Sequence, residues 1–198
     1  MKALLLIDIQ LDFLPGGSLA VPGGHEILPL VNQLQPRYEL VVATQDWHPA
    51  NHQSFASQHP GHPVFSQIDL HGLPQTLWPD HCVQGTPGAE FSPQLDQHRI
   101  EAIFRKGTSP EIDSYSGFFD NGHRKSTGLA DYLRGRGVQE VHVCGLAADY
   151  CVYFSALDAL QEGFAVVFLE AATRAISPEG YQQARRQLEQ RGAQFAAE

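Results

Sequence analysis

The stretch VHVCGLAADYCVYFSALDALQEG, residues 141–163, constrains the fold more than any other: an apolar run gives way to small residues and then to a segment with helical spacing. Residues 140–144 predict a buried strand, while Val152, Phe154, Leu157 and Leu160 recur along a helix that Gly163 stops. A strand passing through a short turn into a helix is the repeating unit of a parallel α/β sheet. Cys151 stands at the helix entrance, where unpaired amides and the positive end of the peptide dipoles stabilise a thiolate and lower a thiol pKa. The same amides can hold the oxygen of a tetrahedral adduct. The bland alternative is a small apolar residue packed in a core, so the decision falls to residues elsewhere.

The rest of the chain repeats the unit. Residues 2–7 form a nearly continuous apolar strand ended by Asp8, as suits a sheet covered on both faces. Further strands are expected at 39–44, 99–104, 164–169 and 193–196, with helices at 26–35, at 127–134, from Cys151, and from the Ser177-Pro178-Glu179 start to about Gln190. Residues 10–24, with LPGGSLAVPGG, predict a loop of several turns. Residues 54–88, rich in His, Pro and Gly, predict a long excursion with one short strand or helical turn at most; a compact domain keeps such a segment for a site. The expected fold is a three-layer α/β/α domain, Rossmann-like, on a mostly parallel sheet of about six strands. With 198 residues and 42% hydrophobic content, one domain spanning residues 1–198 is the simplest organisation.

A formal charge of −9 without a Lys/Arg cluster argues against nucleic acid and against an anionic membrane surface as partners. The opening MKALLLIDI is too short to span a membrane and lacks the cleavage region of a secretory signal. Three cysteines, Cys82, Cys144 and Cys151, do not make a disulfide framework, which points to a reducing, cytoplasmic setting. The ten histidines are what composition leaves unexplained.

Asp8, Asp46, His48, Lys106 and Cys151 all fall at or just after predicted strand ends, where open α/β sheets place their ligands. An Asp8–Lys106 pair beside Cys151 would let the carboxylate take the thiol proton while the ammonium balances the charge; a peripheral ion pair is the alternative. Asp46 and His48, two residues apart in an extended segment, can turn to one side as metal ligands. His81, in WPDHC, could return to them. His52, His59, His62 and His71 also lie downstream, and a His-rich polar loop, with His48 and His81 used for local hydrogen bonding, competes with that reading.

LLLIDIQLDF, TQDWHPANHQSF, WPDHCVQGTPGAEF, the RKG around Lys106 and GLAADYCV together, in this order, resemble the nicotinamidase/pyrazinamidase family of isochorismatase-like hydrolases. The resemblance implies hydrolysis of nicotinamide to nicotinate and ammonia in NAD salvage through a cysteine thioester, with pyrazinamide also accepted. It places Cys151, Asp8 and Lys106 in the catalytic triad and the backbone amides of Ala147 and Cys151 in the oxyanion hole. It places Phe13, Leu19, Trp78 and Tyr115 around the substrate ring. It assigns Asp46, His48 and His81 to one divalent metal ion, zinc, iron or manganese, and makes the Leu146–Ala147 peptide cis. Ser54 stands where some relatives have a histidine, and Ala148 where threonine is frequent. The branch that cleaves isochorismate lacks the cysteine, so that activity is disfavoured here. An amidase for another small amide or ureide, and a metal-bound interaction protein, are the competing functions. The residues leave the subunit count open, a homodimer included.

Overall fold

The computed structural model describes residues 1–197. Its central strand is β1 (Lys2–Ile7), buried from Ala3 onward. Leu4 and Leu6 enter one apolar cluster and Ala3, Leu5 and Ile7 the other, because successive side chains of a strand point to opposite faces. Both faces are covered, which is why the segment reads as an unbroken apolar run.

β1 pairs in parallel with β2 (Leu40–Asp46) and with β6 (Glu140–Leu146). β5 (Ile100–Lys106), β7 (Ala165–Arg174) and β8 (Gln194–Ala196) complete a six-stranded parallel sheet in the order β5-β2-β1-β6-β7-β8. A separate antiparallel hairpin consists of β3 (Gln67–Leu70) and β4 (Leu73–Thr76). Helix α1 (Leu28–Leu34) packs on one face of the sheet. Helices α2 (Leu129–Gly135), α3 (Cys151–Gln161) and α4 (Pro178–Gln190) pack on the other. The three layers and parallel sheet agree with the expectation from sequence. No helix among the described residues is long and apolar enough to cross a membrane.

The direction of winding reverses between β1 and β6, and such a reversal leaves a crevice at the carboxyl ends of the two strands. Close approach there depends on Gly145, at φ 115°, where a Cβ would lie 2.1 Å from the Ile7 carbonyl oxygen. At the start of α4 the Ser177 hydroxyl accepts the Gly180 amide at 3.1 Å, with Pro178 in the first turn, as the sequence predicts.

Several boundaries differ from the sequence reading. β2 and β5 run two residues further than expected because Gln45 pairs with Arg105 and Asp46 with Lys106, so polar residues continue the ladder. β7 continues past 169 to Arg174 after a register shift opposite Val143 and Gly145. Helix 26–35 is divided into a 3-10 turn, Gly24–Ile27, and α1. Residues 54–88 hold more order than expected: the β3–β4 hairpin, 3-10 turns, and bridges pairing His48 with Val83 and Phe55 with Trp78. Phe55, Leu77, Trp78 and Cys82 are buried, so this segment is a packed wall.

Candidate active site

Three parallel strands deliver their terminal side chains to one point. Asp8 follows β1 with φ 47°, a left-handed conformation that Asp tolerates better than most residues. Lys106 ends β5, and its Nζ lies 2.8 Å from Asp8 Oδ2, 3.1 Å from Asp46 Oδ1, 2.9 Å from the Ser114 carbonyl and 3.5 Å from Cys151 Sγ. The Asp8 Oδ2 contact lies off the line of a good hydrogen bond, so that oxygen keeps acceptor capacity toward the thiol. Asp8 Oδ1 accepts from Thr44 Oγ1 at 2.6 Å. Asp8, Lys106 and Asp46 are all buried.

Burial would lower the Lys106 pKa, but Asp46 and Asp8 more than reverse this and hold the ammonium well above its ordinary range. Burial raises Asp8 despite the opposing Lys106 charge. Burial also pushes the Cys151 thiol well up, against Lys106 and with the help of the Asp8 and Asp46 charges. This corrects the expectation of a depressed thiol pKa. Loss of hydration on burial is the largest cause, and it exceeds the lowering by the Lys106 charge. The resting pair is therefore a neutral thiol beside a carboxylate whose basicity burial has increased.

The turn before α3 supplies donors. The helix has no side-chain cap, and the Leu146–Ala147 peptide is cis. The amides of Ala148, Tyr150 and Val152 bond to the carbonyls of Arg174 and Ala147, while those of Ala147 and Cys151 are absent from this turn network. Asp149 fastens the turn to the β7–α4 connection: its carboxylate accepts the Ile176 amide at 2.9 Å and the Ser177 amide at 2.8 Å. Asp149→Ala is expected to lower the unfolding free energy by about 2 to 4 kcal/mol, because two amides lose a charged acceptor. Urea titration would read this as a lower midpoint at unchanged slope; an unchanged midpoint would mean that both amides find other partners.

Asp46, His48 and His81 form a second cluster, with one ligand atom from each inside a 4.8 Å spread and all three side chains buried. The Gly107 carbonyl lies 3.0 Å from His48 Nδ1 and the Pro79 carbonyl 2.8 Å from His81 Nδ1. Carbonyls only accept, so both Nδ1 atoms carry the proton and both Nε2 atoms present lone pairs. Those nitrogens approach Asp46 Oδ2 at 3.1 and 3.4 Å, and His48 Nε2 makes no aligned hydrogen bond. Acceptors converging without a proton between them fit a divalent cation. Without one, burial would depress His48, and Asp46 reverses this by drawing a proton onto the imidazole. Gly107 admits the ring: at φ 65° its Cβ would meet His48 Cε1 at 2.3 Å.

Ser54 Oγ hydrogen-bonds His52 Nδ1 at 2.7 Å. The supports of the cluster were not anticipated from sequence. Gln10 pairs through its amide group with both Asp46 N and Asp46 O at 2.8 Å, and Asp12 Oδ2 accepts the Cys82 amide at 2.7 Å. The only sequence signal for them is the alternation of polar and apolar residues, Asp8-Ile9-Gln10-Leu11-Asp12, directly after a buried strand.

Phe13, Leu19, Trp78 and Tyr115 line one cleft with Cys151, Asp46, His81 and Ala147. Trp78 Nε1 donates to the Tyr115 hydroxyl at 3.2 Å, which fixes the two rings edge to face. Tyr150, Ile176 and Asp113 also line the cleft and were not foreseen. Tyr150 packs its ring 4.9 Å from Trp78, closing the wall beside the sulfur.

An isochorismatase domain model matches residues 2–197. The chain is 52% identical to the nicotinamidase of Escherichia coli over 89% of its length and 84% of the relative's. A structure of an Acinetobacter baumanii nicotinamidase/pyrazinamidase superposes with TM-score 0.96 at 46% identity, covering 98% of this chain and 94% of that one. A Pyrococcus horikoshii pyrazinamidase solved in complex with zinc superposes with TM-score 0.82 at 41% identity, covering 98% of each chain. A domain model matched over nearly the whole chain, together with a relative at 52% identity, shows that this chain belongs to the isochorismatase domain family.

Proposed function

We infer that this chain is a nicotinamide amidohydrolase, releasing nicotinate and ammonia and also accepting pyrazinamide. The observation that carries the reading is one cleft lined by Cys151, Asp46 and His81, with Lys106 and its partner Asp8 beside the sulfur and His48 completing the three converging ligands. The nicotinamidase relatives supply the substrate class.

Cys151 Sγ attacks the carboxamide carbon as its proton passes to Asp8. The carbonyl electron pair moves to oxygen, toward the amides of Ala147 and Cys151. The pair then returns, the carbon–nitrogen bond breaks, and nitrogen takes the proton from Asp8 and leaves as ammonia. Water next gives a proton to Asp8 and attacks the thioester; carbon–sulfur cleavage follows, and the sulfur recovers that proton. Water is consumed, and nicotinate and ammonium result at neutral pH. Lys106 keeps Asp8 ionised between transfers and balances the transient sulfur charge. Phe13, Leu19, Trp78 and Tyr115 hold the flat ring.

Asp46, His48 and His81 would hold one divalent cation, and zinc in a relative supports that choice. Bound there, the cation supplies a Lewis-acidic contact for the pyridine nitrogen, a positioning role. Ammonia release from nicotinamide and from benzamide by the metal-loaded protein tests the reading. Benzamide, lacking the ring nitrogen, is expected to have a kcat/KM lower by about 100-fold or more, and chelation should raise the KM for nicotinamide. Equal turnover of the two amides would sink the positioning role, and no ammonia from nicotinamide would sink the function.

A further inference from the structure

Asp113 is a buried carboxylate on the cleft wall that the mechanism above does not use. Its Oδ1 accepts the Ser114 amide at 2.8 Å and its Oδ2 accepts Gln75 Nε2 at 3.1 Å. Both donors are neutral, and among the described residues no Lys or Arg pairs with it, whereas Asp8 and Asp46 share Lys106. Anchoring the loop does not require a charge. An asparagine could still satisfy Ser114, and Gln75 Nε2 would keep its bonds to the Thr76 carbonyl at 2.8 Å and to the Tyr115 hydroxyl at 3.1 Å, without the cost of a buried anion. The charge itself therefore needs a reason.

The reason lies in the charge balance of the cleft. Asp113 lies within 4.8 Å of a nitrogen of His48, so its field reaches the metal cluster. Asp46 and Asp113 line the cleft and Asp8 and Lys106 pair directly behind it, so with a divalent cation bound three carboxylates balance that cation and the ammonium, and the loaded site is neutral. The substrate amide is neutral and the product acid is an anion. Without Asp113 the loaded cleft would carry a net positive charge and would retain the anion it makes. We propose that Asp113 is a specificity-determining residue whose uncompensated carboxylate makes the cleft choose neutral aromatic amides over aromatic carboxylates, which speeds release of the product. This rests on the amidohydrolase reading above and adds to it.

The test reads binding rather than turnover. In a Cys151→Ala background, loaded to one zinc per chain, calorimetry would give the affinities of nicotinamide and of nicotinate. Adding Asp113→Asn is expected to move their ratio toward nicotinate by about 30-fold, the Coulomb factor for unit charges about 8 Å apart in an effective dielectric of about 20. Asp113→Glu, which keeps the charge, should move the ratio by less than about threefold on the same basis. Binding of both ligands with an unchanged ratio in Asp113→Asn would overturn this inference alone. Equal shifts in the Asn and Glu variants would overturn it too, since shape and not charge would then be at work. If Cys151→Ala with Asp113 intact bound neither ligand, this inference and the amidohydrolase reading would fall together.

Discussion

Cys151→Ala is expected to reduce ammonia release from nicotinamide by about 10⁴-fold or more, the scale on which loss of a nucleophile collapses a covalent route. The sulfur sits 3.5 Å from Lys106 Nζ and lines the cleft, whereas neither Cys82 nor Cys144 hydrogen-bonds Lys106 or lines that cleft. Rapid-quench mass spectrometry of the wild type during turnover should find a nicotinoyl adduct on Cys151, formed and lost at rates compatible with kcat. Undiminished turnover by a folded, uncontaminated Cys151→Ala protein would defeat the nucleophile assignment. Because the resting thiol is neutral and its pKa raised, Asp8→Asn should cripple the same step even though the sulfur remains: the proton then has no base to enter. The losses from the two substitutions should not add, since they remove two parts of one proton-coupled attack.

The sheet was legible because burial on both faces writes itself into strands as apolar runs, and β1 and β6 need nothing else to be read. The placement of Asp8, Asp46, Lys106 and Cys151 followed from strand ends alone, since a parallel sheet gathers its carboxyl ends at one edge. The hairpin β3–β4 was not legible: its burial pattern alternates weakly, and the segment's order comes from bridges to His48 and Phe55 that local periodicity does not encode. Gln10 and Asp12 escaped for a related reason. Each fixes a distant backbone, Asp46 and Cys82, and a side chain that satisfies remote main-chain groups has no local signature. The thiol pKa differs for another reason, because a helix entrance is visible in sequence while the desolvation that raises the thiol depends on three-dimensional burial.

Lys106→Ala should damage both stability and turnover, and the pH dependence of the damage identifies its cause. The ammonium is the only Lys or Arg cation paired with Asp8 or Asp46 among the described residues, and all three groups are sealed from water. Removing one partner of a buried pair costs about 3 to 5 kcal/mol at neutral pH, because the charge left behind is uncompensated. Burial alone would raise Asp46, but His48 and Lys106 pull it well below the ordinary carboxylate range. A depressed carboxylate contributes stability above its unfolded pKa and loses it as pH falls through the folded one. The variant lacks much of that contribution, so its deficit in metal-free urea titrations should be full near neutrality and shrink as the solution is acidified below the unfolded value of 3.8. A deficit independent of pH would assign the loss to a cavity instead. Turnover should fall by about 10³-fold, an electrostatic loss of about 4 kcal/mol from the transition state. Lys106→Arg should rescue little of either, since a planar guanidinium cannot replace an ammonium that faces Asp8, Asp46, Ser114 and Cys151 within a fully buried space.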